Sequence, residues 1–294
     1  MSDGYDDRDG TIWLDGKLVP WREANVHVLT HALHYASSVF EGLRCYGGHP
    51  FALKRHSERL IRSAGLMGFR IPYSLDEIMQ ACRDTLADSG LQDAYMRPFA
   101  WRGSEQIGVA AQKTKIHLAV ACWSWGAYFG EEALAKGLRL DIAPWRRPAP
   151  YTAPTEAKAA GLYMICTLSK HQSMDRGFDD ALMLDWRGQV AEATGANIFF
   201  WKDGVLHTPT PDCFLNGITR QTVIELARAR GVQVVERAIW PEELGDFEQC
   251  FLTGSAAEVV PVGSIGPWTF KVGEETRQLM ASYASHVRNV PASR

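Results

Sequence analysis

Four short stretches of the 294-residue chain hold residues whose types suit covalent and anion chemistry. Lys158 lies in "PTEAKAAGLY" among Ala157, Ala159, Ala160 and Gly161, with Tyr163 five positions on. A lysine ordinarily keeps its charge in solvent. Neighbours this small also suit an amine that a bound molecule must approach closely. In "LNGITR", Gly217 stands before a strongly helical run, so the amides of Ile218 and Thr219 face outward at a positive helix end, a physical anion site. A plain helix cap has the same composition. In "LTGSAAE", Ser255 beside Ala256 and Ala257 can offer a hydroxyl and several amides to a phosphate or carboxylate, or form an ordinary tight turn. Glu192 interrupts the apolar stretch "VAEATGANIFF", where a carboxylate must find a partner or face solvent.

Other chemistries lack their signatures. His27, His31 and His34 in "VHVLTHALHY" have helical spacing, but no Asp, Glu or Cys nearby completes a ligand set, so no metal is expected. A Rossmann fingerprint, a P-loop and a Gly-x-Ser-x-Gly elbow are all missing. A net charge of −3, with both signs interspersed, leaves no footprint for nucleic acid or an anionic membrane. The acidic start "MSDGYDDRDG" has no apolar core of a signal peptide, and no apolar run reaches membrane-spanning length. Six scattered cysteines without a Cys-x-x-Cys pair fit reduced thiols in a cytoplasmic protein.

The elements that must position these residues read as a mixture of strands and helices. Asp15-Gly16 in "TIWLDGKLVP" is a hairpin signal, and Gly47-Gly48 marks a second hairpin. "RHSERLIRSAGLMG" has near-helical apolar spacing, and "SLDEIMQACRDTLADSG" opens with a Ser-x-x-Glu capping box. "AYMRPFAWRG" and "KIHLAVACWSW" predict consecutive strands. "LRLDIAPW" predicts a strand, "AGLYMICTLSKHQSMDRG" a helix, and 181–209 a meander with turns at Arg187-Gly188 and Asp203-Gly204. "GITRQTVIELARARG" is an amphipathic helix, and "GEETRQLMASYASHVR" closes the chain. With no strict βαβ alternation, the expected fold class is α+β in two domains. The change of character in "WSWGAYFGEEALAKG" divides them: a small N-terminal domain at 1–122, a loop at 123–137, and a larger C-terminal domain at 138–294 carrying Lys158.

In chain order, "VHVLTHALHYASSVFEGLRCY", "HSERLIRSA", "AYMRP", "WGAYFG", "PTEAKAAGLY", "AEATGANIFF", "LNGITR" and "TGSAAEVVPV" resemble the branched-chain amino acid aminotransferases, fold-type IV pyridoxal phosphate enzymes. The resemblance runs from about residue 11 to the last helix. It implies that Lys158 forms the Schiff base with pyridoxal 5'-phosphate and ferries a proton between two carbons. It further implies that Arg59 grips the cofactor phosphate, with Gly217, Ile218, Thr219 and Ser255 alongside. Glu192 would pair with the pyridine nitrogen and Tyr163 with the ring hydroxyl. Tyr35, Phe40, Val109 and Trp125 would line an aliphatic pocket, and the amides of Ala256 and Ala257 would hold the α-carboxylate. Tyr95 and Arg97 would let the same pocket accept glutamate.

The implied activity is transfer of an amino group between leucine, isoleucine or valine and 2-oxoglutarate, in a homodimer or larger oligomer. Tyr35 and Val109 would reach the neighbouring subunit's pocket. The alternatives on the same fold are a D-amino acid or (R)-amine transaminase and an aminodeoxychorismate lyase. A non-catalytic relative would most simply lack Lys158 or Glu192, and both are present. Ser255 stands where threonine is common and keeps the hydroxyl, while Leu162 and Asn216 also depart from some relatives.

Overall fold

The structure, a computed structural model, describes residues 4–126 and 130–289. The described residues divide into two compact units: 4–126 with 157–161, and 130–156 with 162–289.

The first unit is a seven-stranded sheet with helices. Strands β1 (Thr11–Leu14) and β2 (Lys17–Pro20) form the expected hairpin. Asp15 and Gly16 have φ of 48° and 100°, the twist that a two-residue hairpin turn requires. Helix α1 (His31–Tyr35) ends at Ala36 in the left-handed region, at φ 52°. Strands β3 (Ser38–Phe40), β4 (Leu43–Tyr46) and β5 (His49–Pro50) follow, then helices α2 (Leu53–Leu66) and α3 (Leu75–Ser89). The capping box at Ser74 and Glu77 is formed, and α3 stops at Gly90. Strands β6 (Ala94–Arg102) and β7 (Ile116–Ser124) pair along their whole length. The sheet order is β2-β1-β7-β6-β4-β5, with β3 also on β6.

On one side of β6 the partner changes from β4 to β3 around Pro98, a residue that cannot donate to a ladder. Glu41 and Gly42 bridge that change, and the Pro98 carbonyl accepts from the Glu41 amide at 2.7 Å. Gly42 must be glycine here, because a Cβ would stand 1.9 Å from the Tyr95 hydroxyl. The jog turns the Glu41 side chain into the protein, where it is fully buried.

The second unit holds α4 (Glu131–Lys136), β8 (Leu138–Ile142), α5 (Met164–Asp175), β9 (Asp180–Leu184), β10 (Val190–Ala193), β11 (Asn197–Lys202) and β12 (Val205–Pro209). It continues with α6 (Ile218–Ala229), β13 (Val234–Arg237), β14 (Gln249–Gly254), β15 (Glu258–Ile265), β16 (Trp268–Thr269) and α7 (Glu274–Arg288). Its sheet runs β10-β9-β8-β15-β14-β11-β12-β13, with β16 on β15. Strands β8–β9, β8–β15 and β12–β13 are parallel, and the remaining pairs antiparallel. Leu140, Leu182, Ile198, Phe200, Leu252 and Val262 form much of its core. The sequence pattern predicted a meander over 181–209, but β10 and β11 are not hydrogen-bonded neighbours. Strands β9, β8, β15 and β14 stand between them in the order.

The α+β class is as expected, and the division differs in two respects. Much of the loop expected at 123–137 is ordered structure: β7 continues to Ser124 and α4 occupies 131–136, while residues 127–129 of "WGAYFG" lie outside the described residues. Lys158 was expected in the C-terminal domain, yet residues 157–161 group with the first unit. Ala159 forms a β-bridge with Val39, a long-range pairing that local composition does not show. No described helix is long and apolar enough to cross a membrane.

Candidate active site

Lys158 is held by its backbone on both sides. Its amide donates to Ser63 Oγ on α2 at 3.0 Å, and its carbonyl accepts from the Phe40 amide at 3.1 Å. The small residues follow from this packing: Ala157 and Ala159 are buried, and a Cβ on Gly161 would meet the Ala36 methyl at 3.2 Å. The Lys158 ammonium stands 4.7 Å from the centre of the Phe40 ring. Its pKa falls from 10.5 to about 8, first because the amine leaves water and next because of the Arg59 charge. Glu41 and Tyr95 pull it back up, and Arg97 works with Arg59.

Behind the lysine lies a buried charge cluster that sequence reasoning missed. Glu41 accepts from Arg59 Nε at 2.6 Å and from Arg59 NH2 at 2.7 Å, a bidentate pair. His56 Nδ1 donates to the same carboxylate at 2.6 Å. Burial alone would raise the Glu41 pKa, but Arg59 and then His56 outweigh it and hold the group well below the usual carboxylate range. Burial pushes His56 down, which favours a neutral ring carrying its proton on Nδ1. His56, Arg59 and Ser63 share one face of α2 at helical spacing. The clue was available: Glu41 interrupts an apolar strand run just as Glu192 does.

Aromatic residues of the first unit form the next layer. The Tyr95 ring lies 5.0 Å from Trp125 and 5.2 Å from Trp123. Arg97 donates to the Tyr95 hydroxyl at 3.2 Å, and its guanidinium lies 4.8 Å from the Phe40 ring centre. Phe40, Tyr95, Arg97, Trp125 and Lys158 are thus one connected group. Tyr35 and Val109 belong to another. His31 stacks on Tyr35 and bonds the Gly108 carbonyl through Nε2 at 2.8 Å, joining α1 to the segment that carries Val109. Here Val109 is 91% exposed. The three imidazoles weighed as a metal set are otherwise engaged: His27 accepts from the Leu29 amide, His31 meets Ser37 and Gly108, and His34 meets the Val28 carbonyl.

The second unit gathers the remaining candidates. A register shift between Val190 and Glu192 in the β9–β10 ladder accompanies the burial of Glu192. Its carboxylate lies 3.4 Å from Arg147 Nε and accepts from Asn197 at 3.2 Å. Burial works against the Arg147 charge, but Glu192 and weaker neighbours more than offset that, so its pKa rises. Gly217, the N-cap of α6, has no side chain with which to cap the first-turn amides, which have no intrahelical partners. Ile218 and Thr219 are buried there. Ser255, Ala256 and Ala257 form the turn between β14 and β15. Just before it, the Thr253 hydroxyl is buried without a hydrogen-bond partner. Tyr163, Gly195, Ala196, Ala256 and Ala257 line one cavity of about 270 Å³.

These features fit a phosphorylated pyridine aldehyde. In the second unit the uncapped helix start suits a phosphate and the buried carboxylate a pyridine nitrogen; in the first unit, taken by itself, the lysine of lowered pKa suits an aldehyde.

The comparisons with known proteins agree. A family model described as "Amino-transferase class IV" matches residues 38–265. The branched-chain-amino-acid aminotransferase of Pseudomonas aeruginosa is 45% identical over 263 residues, 88% of this chain and 86% of that one. The chain belongs to the branched-chain amino acid aminotransferase family. The Escherichia coli family member is 41% identical over 262 residues, 86% of this chain and 84% of its own. The family member from T.th., solved with pyridoxamine 5'-phosphate, superposes with a TM-score of 0.93 at 38% identity, covering 97% of this chain and 96% of its own. The family is the one its sequence motifs resemble, and its two-unit α+β architecture is that of the fold-type IV enzymes.

Proposed function

We propose that this family member transfers an amino group between leucine, isoleucine or valine and 2-oxoglutarate, with pyridoxal 5'-phosphate as cofactor. The observation that carries this reading is the Lys158 amine, whose pKa of about 8 reflects its enclosure beside Arg59 and the Phe40 ring. Relative to an ordinary lysine, that pKa raises the free-base fraction near neutral pH by roughly 300-fold.

The bound cofactor supplies an electron sink for the substrate carbanion. Lys158 Nζ would hold the cofactor through its aldehyde, and the same amine would move the proton of the amino acid Cα. Glu192, backed by Arg147, keeps a proton on the ring nitrogen, and Tyr163 donates to the ring hydroxyl. Arg59, the α6 turn at Gly217, Ile218 and Thr219, and Ser255 hold the phosphate. Glu41 holds the Arg59 guanidinium in one orientation. Phe40, Trp125, Tyr35 and Val109 enclose the aliphatic side chain, and the Ala256 and Ala257 amides hold its carboxylate. Arg97, steadied by the Tyr95 hydroxyl, receives the second carboxylate of glutamate.

We further infer a homodimer or larger assembly, because Tyr35 at the end of α1 and Val109 are exposed among other exposed apolar residues. The buried free cysteines suit the reducing cytoplasm. An amino-donor panel with 2-oxoglutarate as acceptor tests the activity. L-leucine, L-isoleucine and L-valine should be the best donors; preference for D-alanine or (R)-1-phenylethylamine would replace this reading with one of the alternatives.

A further inference from the structure

One amide side chain in the second unit reaches two places that the proposed function uses separately. Asn197, at the start of β11, is 4% exposed. Its Nδ2 donates to Glu192 Oε2 at 3.2 Å and to the Leu215 carbonyl at 3.0 Å. Its Oδ1 accepts from the Gly217 amide at 3.1 Å, at the N-cap of α6. The orientation of the amide is unambiguous, because two oxygens face its nitrogen and one N–H faces its oxygen.

The strand fixes the residue from behind, where Asn197 pairs with Thr253 in the β11–β14 ladder. The turn closes around it from the front: a Cβ on Gly217 would stand 2.3 Å from Asn197 Oδ1. Arg220 secures the same turn, donating to Asn216 Oδ1 at 3.0 Å and to the Pro209 carbonyl at 3.0 Å. Glu192 is therefore held at both oxygens, by Arg147 at Oε1 and by Asn197 at Oε2. The planar amide cannot rotate to release Glu192 without also releasing the α6 turn.

We propose that Asn197 is a positioning residue that locks the Glu192 carboxylate to the turn opening α6, so that the ring-nitrogen contact and the phosphate contact are set as one unit. The proposal rests on the reading that Glu192 and the 217–219 turn hold those two ends of the cofactor. Without Asn197, the buried Glu192 Oε2 loses its amide donor while Arg147 still draws on Oε1, so the carboxylate shifts toward the arginine. The Gly217 amide is left without its acceptor at the same time.

Equilibrium binding of pyridoxal phosphate to the apo chain, followed by absorbance, tests this. Asn197→Ala should weaken binding by about 10- to 100-fold, the range seen when a supporting hydrogen bond behind a ligand contact is lost. The loss should shrink for pyridoxal, which lacks the phosphate, and for 1-deazapyridoxal phosphate, which lacks the ring nitrogen; a general loosening of the fold would weaken all three alike. Asn197→Asp keeps the acceptor for Gly217 but loses both Nδ2 donations, to Glu192 and to the Leu215 carbonyl, and sets a second buried carboxylate against Glu192. It should lower the melting temperature, yet its loss of affinity should be larger for pyridoxal phosphate than for the deaza analogue, since the Gly217 acceptor survives; equal losses for the two would overturn the lock to Glu192.

In a double-mutant cycle, Glu192→Ala and Asn197→Ala should be strongly non-additive. If Glu192→Ala alone leaves pyridoxal phosphate affinity unchanged, the role of Glu192 falls and the proposal with it. If Glu192→Ala weakens binding but Asn197→Ala does not, or the two losses multiply independently, only the positioning role is overturned.

Discussion

Phe40, Arg59 and Glu41 act on the Lys158 amine through different forces. The ring favours a cation over its face, the guanidinium disfavours it, and the carboxylate partly restores it. Burial decides the balance and lowers the pKa to about 8. In the apo protein, the reaction of this amine with an acylating reagent should therefore rise through a midpoint near pH 8. An ordinary lysine would show the same rise near about 10.4. Lys158→Ala should fold normally yet lose cofactor attachment and nearly all transamination. Borohydride treatment of the wild type should label the peptide containing Lys158; a label on Lys170 instead would overturn the assignment. Arg97 differs in kind, since its guanidinium is already placed by Tyr95 and Phe40. Arg97→Ala should raise KM for glutamate and 2-oxoglutarate on the order of 10²-fold and spare leucine, because only the dicarboxylates lose a charged pair. Equal losses for both substrates would move Arg97 to the shared α-carboxylate.

Among elements, the contact between α2 and the β3–β4 jog matters most. The jog exists because Pro98 breaks a ladder on β6 and Gly42 tolerates the Tyr95 hydroxyl, and it delivers Glu41 to the polar face of α2. A buried ion pair is costly to break from one side, since the surviving charge loses its partner. Glu41→Gln should destabilise the first unit by about 3–5 kcal/mol in denaturant titrations. It should also change the pH dependence with a definite sign. The folded-state pKa of Glu41 lies below its unfolded value of 4.5, so its contribution is present above pH 4.5 and is lost as pH falls below it. Wild type should lose stability on acidification more steeply than Glu41→Gln; parallel curves would mean that the carboxylate is not held as the structure shows.

At the scale of the whole molecule, exposed aliphatics call for an explanation. Val28 is 70% exposed, Leu33 62%, Ile107 59% and Val109 91%, and the His31 bond to Gly108 joins the segment around α1 to the one around Gly108. A joined apolar surface of this kind is ordinarily covered by another chain. Light scattering should give a dimer or larger species. Mixing inactive Lys158→Ala with an inactive variant bearing a charged residue at Val109 should restore part of the activity on subunit exchange. A fully active monomer would rule out a shared pocket.

The sequence by itself determined those features whose physical cause is local. A two-residue Asp-Gly turn needs positive φ, a Ser-x-x-Glu cap needs only four residues, and the amphipathic helices need only their own spacing; Asp15-Gly16, Ser74 with Glu77, and α6 all formed accordingly. The family was legible too, because its motifs are short contiguous strings from "VHVLTHALHY" to "TGSAAEVVPV". Tertiary structure decided what depends on distant partners. Glu41 shows this best: beside a glycine it can be read as a surface acid, and its burial follows from His56 and Arg59, 15 and 18 residues later. Residues 157–161 join the first unit through backbone pairing with Val39 and Phe40, more than a hundred residues earlier. Asn197 acquires two of its three hydrogen bonds only when β11 meets the segment that opens α6, 18 and 20 residues on. Composition carries no record of such closures, because chain separation sets neither their distance nor their direction.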